Sequence, residues 1–176
     1  MTGQTEIIRM ATPADAAAMA GIYRPYVEDT AITFELVAPS EGEFARRIAH
    51  TLEKYPWIVA ERDGEVIGYA YAGPLKTRAA YDHSAEVSIY LRQGERGNGL
   101  GRRLYEDLEG HLSAMGVRNL YACITYSPDE GDPFLTRDSI AFHEHMGFAR
   151  VGLFHDCGLK FDRLYSVVWM EKVISQ

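Results

Sequence analysis

Residues 96–101 read RGNGLG, three glycines in six positions, between the apolar run VSIYL (87–91) and the amphipathic run LGRRLYEDLEGHLSAM (100–115). Glycine loses more conformational entropy on folding than any other residue, so this density has to meet a need for bare backbone. The apolar run reads as a strand. The run after the glycines reads as a helix, with Leu100, Leu104, Leu108, Leu112 and Met115 on one stripe. A helix start offers free N–H groups and the positive end of the dipole, and glycines let a phosphate approach them closely. Arg92, Arg96, Arg102 and Arg103 surround the loop, against Glu95 alone. Arg102 and Arg103 stand in the first helical turn, the unfavourable end for cations, which a bound anion relieves.

Two familiar phosphate loops fail. The dinucleotide pattern G-x-G-x-x-G starts at Gly97 and Gly99 but meets Arg102 at its last position. A P-loop requires Gly-Lys-Ser/Thr, which is absent. What remains is Arg-x-x-Gly-x-Gly, met by Arg96, Gly99 and Gly101.

The elements around the loop alternate in kind. EIIRMA (6–11) is a strand, and TPADAAAMAGIYRPYVED (12–29) a helix capped by Thr12 with Pro13 at its first position. SEGEFARRIAHTLEKY (40–55) opens with a Ser40/Glu43 capping box and carries Phe44, Ile48 and Leu52 at four-residue spacing. WIVAERDGEVIGYAYAG (57–73) is a hairpin turning at Asp63-Gly64. AEVSIYL (85–91) and RNLYACIT (118–125) are strands on either side of the loop and its helix. DSIAFHEHMGF (138–148) is a short helix stopped by Gly147, with Asp138 or Ser139 as cap, and strands over 148–155 and 163–172 close the chain. This order predicts one α+β domain over 1–176, with a mostly antiparallel sheet and one strand-helix-strand unit at its middle.

Composition narrows the function classes. Among 176 residues, 47% hydrophobic and 24% charged content supports a packed soluble domain. A formal net charge of -7 argues against a nucleic-acid or membrane surface. Cys123 and Cys157, both in apolar contexts, form no disulfide framework, and the N-terminus has no signal-peptide pattern, so a reduced, cytoplasmic protein is expected. His143 and His145 are two apart on a helix and diverge, so no metal site is expected.

The Arg96-Gly99-Gly101 pattern resembles the acyl-CoA pyrophosphate loop of the GCN5-related N-acetyltransferase (GNAT) superfamily. YAGPLKTRAAYDHSAEVSIYL (71–91) and FHEHMGF (142–148) are similar to signatures of its phosphinothricin and methionine sulfoximine/sulfone acetyltransferase branch. The resemblance implies a twisted, mostly antiparallel sheet flanked by about four helices, with a splayed pair of parallel strands at the acyl-CoA site. It implies acetyl-CoA as cosubstrate, held by Ile89, Tyr90, Leu91, Arg96, Gly97, Asn98, Gly99, Leu100, Gly101, Arg102 and Thr136, and a homodimer. Thr136 stands where the branch usually has an asparagine, the segment 127–139 is longer than the resemblance leads one to expect, and His83 stands where the branch commonly has an aromatic residue.

Acetyl transfer to an amine needs a proton acceptor, a polarised thioester carbonyl and a means of holding or protonating the thiolate. By resemblance Glu86 is the general base, acting through water, and His143 the second catalytic residue, as base or as acid. Lys76 and Arg78 are candidates to hold a substrate carboxylate, Arg in bidentate fashion, with Phe34 and Tyr81 as an apolar wall. The leading reading is an N-acetyltransferase acting on an amino acid or analogue. The alternatives are a protein N-terminal or lysine acetyltransferase and a non-catalytic acyl-CoA-binding domain.

Overall fold

The computed structural model describes residues 6–174. Seven strands form one sheet: β1 (Glu6–Met10), β2 (Trp57–Arg62), β3 (Glu65–Pro74), β4 (Ser84–Leu91), β5 (Asn119–Tyr126), β6 (Ala149–Lys160) and β7 (Arg163–Val173). The α-helices are α1 (Ala16–Asp29), α2 (Glu41–Leu52), α3 (Leu100–Ala114) and α4 (Asp138–His145). The strand order is β1-β2-β3-β4-β5-β7-β6. Every pairing is antiparallel except β4 with β5.

That parallel pair is short. It holds at Ser84–Asn119, Ala85–Leu120 and Glu86–Tyr121 only. β4 stays paired with β3 as far as Leu91, and β5 with β7 as far as Tyr126. Beyond Glu86 the two strands therefore part, leaving a wedge between edges that no longer pair with each other.

Two apolar layers hold the sheet. Leu100, Leu104, Leu108 and Leu112 of α3 are at most 1% exposed and pack with Ala70, Val87, Ala122 and Ile140 on one face. Each such burial contributes about 1.5–3 kcal/mol. On the other face Met19, Tyr23 and Val27 of α1 join Phe44 and Ile48 of α2 against Val59 and Tyr69. Because strand neighbours point to opposite faces, Glu86, Ser88 and Tyr90 face the α1–α2 side, while Val87 and Ile89 face α3.

Several sequence expectations are corrected. Met115 is 45% exposed, because α3 ends at Ala114 and Met115 lies in its C-cap. The first helix begins as a 3-10 turn, Pro13–Asp15, before α1. The cap of α4 is Arg137, not Asp138 or Ser139. β6 runs on to Lys160, past two register breaks. Cys123 and Cys157 are both exposed, despite their apolar neighbours in sequence.

Candidate active site

The glycine loop ends at α3. Gly97 and Gly99 have φ of +81° and +79°, a region that side chains rarely adopt, and Gly99 is the N-cap residue. Gly101 is needed for a different reason: a Cβ there would meet the Phe142 ring of α4 at 3.0 Å. The loop thus joins the helix start to α4. Asn98 supports the turn, since its Oδ1 accepts from the Leu100 N–H at 3.0 Å. That bond occupies one donor of the expected anion site, and the Leu100 side chain is in the core. The Gly101 and Arg102 N–H groups lie in the first turn, where no helical carbonyl reaches them.

The arginines around the loop are less free than the sequence implies. Arg92 pairs with Glu65 at 2.9 Å and Glu95 at 3.1 Å. Arg103 bonds Glu6, and Arg96 pairs with Asp138 at 2.7 Å. Arg102 is held most loosely, 3.8 Å from Glu106 and largely exposed, and is the cation most available to a pyrophosphate. Thr136 does not reach the wedge. Its hydroxyl donates to the same Asp138 carboxylate at 2.9 Å, and it lines a separate hollow under the 127–137 loop.

Below the loop the wedge opens into a cavity lined by Ser88, Ile89 and Tyr90 of β4, Cys123 of β5, and Tyr105 and His143 from the helices behind. The unpaired edge of β4 offers backbone groups to an extended pantetheine arm. Tyr26 already donates to the Leu91 carbonyl at 2.7 Å, so the usable stretch lies before Leu91.

His143 is 3% exposed. Its Nδ1 lies 2.7 Å from the Ser139 carbonyl, and its Nε2 2.9 Å from the Tyr105 hydroxyl. A carbonyl oxygen only accepts, so Nδ1 carries the proton and neutral Nε2 accepts from Tyr105. Burial lowers the imidazole's pKa, partly offset by the Ser139 bond. Burial likewise holds the Tyr105 phenol far above its ordinary value. Sequence reasoning missed Tyr105. It follows Leu104 on the buried side of α3, and nothing in its local pattern separates it from core.

Glu86 stands at the fork, opposite Tyr121 at the last paired position. It projects to the α1–α2 face, whereas His143 lies behind the sheet. The two expected catalytic residues thus approach the wedge from opposite sides. Burial raises the Glu86 pKa, and Lys76 offsets part of the rise. Cys123 shares this face. Cys123 is open to solvent yet lines the cavity; the packing around its sulfur there, with the Glu86 charge next in weight, pushes its thiol up to about 12, so it stays protonated and is a poor acyl carrier.

Of the expected substrate residues, Lys76 is brought to Glu86. Phe34 is placed across the β6–β7 hairpin, 6.4 Å ring to ring from Tyr165 and against Gly158. Arg78 and Tyr81 lie on an exposed turn after β3, Tyr81 being 41% exposed, and among the described residues neither makes a polar contact with Glu86.

The family model for the acetyltransferase (GNAT) domain matches residues 8–169. A phosphinothricin N-acetyltransferase of Streptomyces viridochromogenes is 32% identical over 165 residues, covering 94% of this chain and 86% of that protein. An L-methionine sulfoximine/L-methionine sulfone acetyltransferase of Salmonella typhimurium is 29% identical, covering 93% and 92%. A phosphinothricin acetyltransferase from Sinorhizobium meliloti, solved in complex with acetyl-CoA, superposes with a TM-score of 0.85 at 36% identity, covering 97% of this chain and 89% of that one. The glycine loop suits the pyrophosphate of an acyl-CoA, and the parting of β4 and β5 its thioester arm.

Proposed function

The chain belongs to the GNAT acetyltransferase family and is an acetyl-CoA-dependent acyltransferase, and on that premise we propose that it acetylates the amino group of a small amino acid or analogue, of the phosphinothricin or methionine sulfoximine/sulfone type. One observation carries this reading. Glu86 stands at the fork on the α1–α2 face, while Tyr105 and His143 line the cavity from behind, so a thioester lying in the wedge would have one candidate proton acceptor on each side. The amine enters from the Glu86 face and loses its proton there, directly or through water. A carboxylate with a raised pKa is the better base near neutral pH. Tyr105 and His143 serve the opposite side, where the thiolate departs: neutral Nε2 takes up a solvent proton through the Tyr105 hydroxyl and returns it by the same route to the thiolate. Transfer is direct from thioester to amine, in keeping with the inert Cys123 thiol. Lys76 and Arg78 are assigned to the substrate carboxylate.

The test is release of free thiol from acetyl-CoA over a panel of amino acids, amines and peptides. Turnover with free amino acids and none with peptides supports the proposal. Turnover confined to peptides would favour a protein acetyltransferase, and no turnover with retained CoA binding a non-catalytic domain.

We assign the protein to the cytoplasm as a homodimer. The β6–β7 hairpin supports the dimer, with Val151 (54%), Phe154 (57%) and Leu159 (63%) exposed on the edge strand β6 and Leu164 (61%) beside Leu159 on β7, a patch that invites association. Sedimentation of Phe154→Asp with Leu159→Asp as a monomer, against a dimeric parent, tests the state. Cell fractionation tests the compartment.

A further inference from the structure

Two cavities meet at one side chain. The cavity in the wedge measures about 50 Å³, and the hollow under the 127–137 loop about 270 Å³. Thr125 and Leu135 line both, so these two residues stand between them. Thr125 belongs to β5 and is 7% exposed, and its hydroxyl donates to the Ile32 carbonyl at 3.3 Å. The sheet fixes its place. Leu135 lies between β5 and α4, outside any helix or strand, and is the larger apolar part of the partition.

Loop residues commonly yield, yet Leu135 follows an anchored one. The Phe134 carbonyl accepts from the Ala31 N–H at 2.9 Å, and the Phe134 N–H donates to Asp132 Oδ1 at 2.8 Å. The Phe134 ring stacks on Phe161 at 4.2 Å, and Asp132 accepts from the Tyr165 hydroxyl at 3.2 Å. Contacts from residues 31, 161 and 165 thus hold the backbone that presents Leu135. A wall held in this way has little freedom to recede from a larger group.

The two spaces differ in chemistry. Ile32, Ile89, Ile124 and Leu135 give the smaller one apolar lining beside Tyr105 and His143. The larger one has Ser127, Asp129, Asp132 and Thr136, with Arg137 paired to Glu130 at 2.9 Å. A volume of about 50 Å³ is close to the share of two molecules in liquid water, roughly 30 Å³ each. It suits the carbonyl and methyl of an acetyl group. A longer acyl chain presses on the partition, and forcing extra methylenes into a packed space costs about 5- to 100-fold.

We propose that Leu135 limits the transferred acyl group to acetyl: it closes the wedge cavity against the neighbouring hollow, and shortening it joins the two spaces and admits longer acyl chains. The proposal rests on the reading that the thioester lies in the cavity below the glycine loop. Leu135 is a specificity-determining residue that moves no proton. Because the hollow is polar, joining it relieves the clash but gives an apolar tail little to pack on. Longer acyl-CoAs should therefore rise towards acetyl-CoA and not past it.

The experiment measures kcat/KM for acetyl-, propionyl-, butyryl- and hexanoyl-CoA on the full chain, with an amine that the chain acetylates. Calorimetry with CoA, which lacks the acyl group, shows that each variant is folded and competent to bind. The parent should prefer acetyl-CoA to butyryl-CoA about tenfold or more. Leu135→Ala should cut that preference about fivefold or more and should bring hexanoyl-CoA into use. Leu135→Val, a smaller change, should gain propionyl-CoA alone. Ile89→Val widens the same cavity on a wall that the hollow does not share. It should gain propionyl-CoA but neither butyryl- nor hexanoyl-CoA. A parent indifferent to chain length, or a preference unchanged in Leu135→Ala, overturns the proposal. If Ile89→Val still responds in that case, the thioester reading stands without it. If neither variant responds, the acyl group lies elsewhere and both fall.

Discussion

The Tyr105 hydroxyl lies 2.9 Å from Nε2 of His143, and both side chains line the cavity between β4 and β5. With Nδ1 committed to the Ser139 carbonyl, Nε2 is the only nitrogen left for chemistry, and Tyr105 covers it. The two residues form one unit supplied by two helices, α3 and α4. Phe142 and Phe148 pack around them, with ring centroids 5.3 and 5.2 Å from the imidazole.

Two residues acting as one unit give non-additive losses. Tyr105→Phe and His143→Asn should each lower kcat by about 10- to 100-fold, within the usual range for acid–base groups. The double variant should be no worse than the poorer single one. Losses that multiply would show that histidine works without the tyrosine. Tyr105→Phe should also lower Tm, because it strands a buried acceptor at a cost of about 1–3 kcal/mol.

The buried imidazole makes stability depend on pH. Its pKa is depressed in the folded protein, so the unfolded chain binds the proton more readily. Stability is therefore full above the unfolded value, about 6.5, and falls as pH drops below it. The limiting slope for one such group is about 1.4 kcal/mol per pH unit. Thermal melts from pH 8 to pH 5 should show a steeper decline for the parent than for His143→Asn. Parallel curves would mean that the imidazole takes up its proton inside the fold without penalty.

Local pattern made some parts legible and long-range pairing hid others. The four leucines of α3 and the Asp63-Gly64 turn follow from spacing and turn chemistry alone, and the structure has them as read, with φ of 53° and 86° at the turn. Glu86 and His143 were named through resemblance. The structure adds that they lie on opposite sides of the sheet, which no spacing reveals. Tyr105 was hidden because an aromatic residue beside a leucine stripe looks like core until α4 brings His143 to it. The loop's arginines looked unopposed because Glu6 and Glu65, which neutralise Arg103 and Arg92, lie far away in sequence. The extent of β6 was hidden by Gly152 and the HDCG stretch (155–158), which break strand alternation where the register shifts.

The anion site is tested at Gly99. Gly99→Asp places a carboxylate at the proposed pyrophosphate position and a side chain at φ +79°. The backbone strain costs on the order of 1–2 kcal/mol. Gly116, at φ +84° with open space around it, provides the control. Gly116→Asp bears similar strain far from the loop. Calorimetry should show CoA affinity lowered more than tenfold in the first variant and nearly unchanged in the second. Equal affinities in both folded variants would remove the loop from the cosubstrate site.

The base is tested by Glu86→Gln, which keeps shape and polarity but cannot accept the amine proton. The loss should be about 10²–10⁴ in kcat, with CoA binding little changed. It should shrink as pH rises, because more of the amine is then neutral without help. His143→Asn should differ: if the Tyr105–His143 unit protonates the thiolate, its deficit persists or grows at high pH. Stability supplies a second, independent readout. The folded pKa of Glu86 is raised, so the native carboxyl holds its proton to a higher pH than the unfolded one. The stabilisation is present at low pH and is lost as pH rises through the folded value. At pH 7.5 the buried carboxylate is a cost that glutamine removes. Glu86→Gln should therefore melt higher than the parent at pH 7.5, each kcal/mol gained reading as about 2–4 °C in a chain of this length, and the difference should close towards pH 4. A variant slower at every pH by the same factor, and no more stable at pH 7.5, would place Glu86 outside the proton path. The enzyme would then work by positioning an amine already deprotonated in solution.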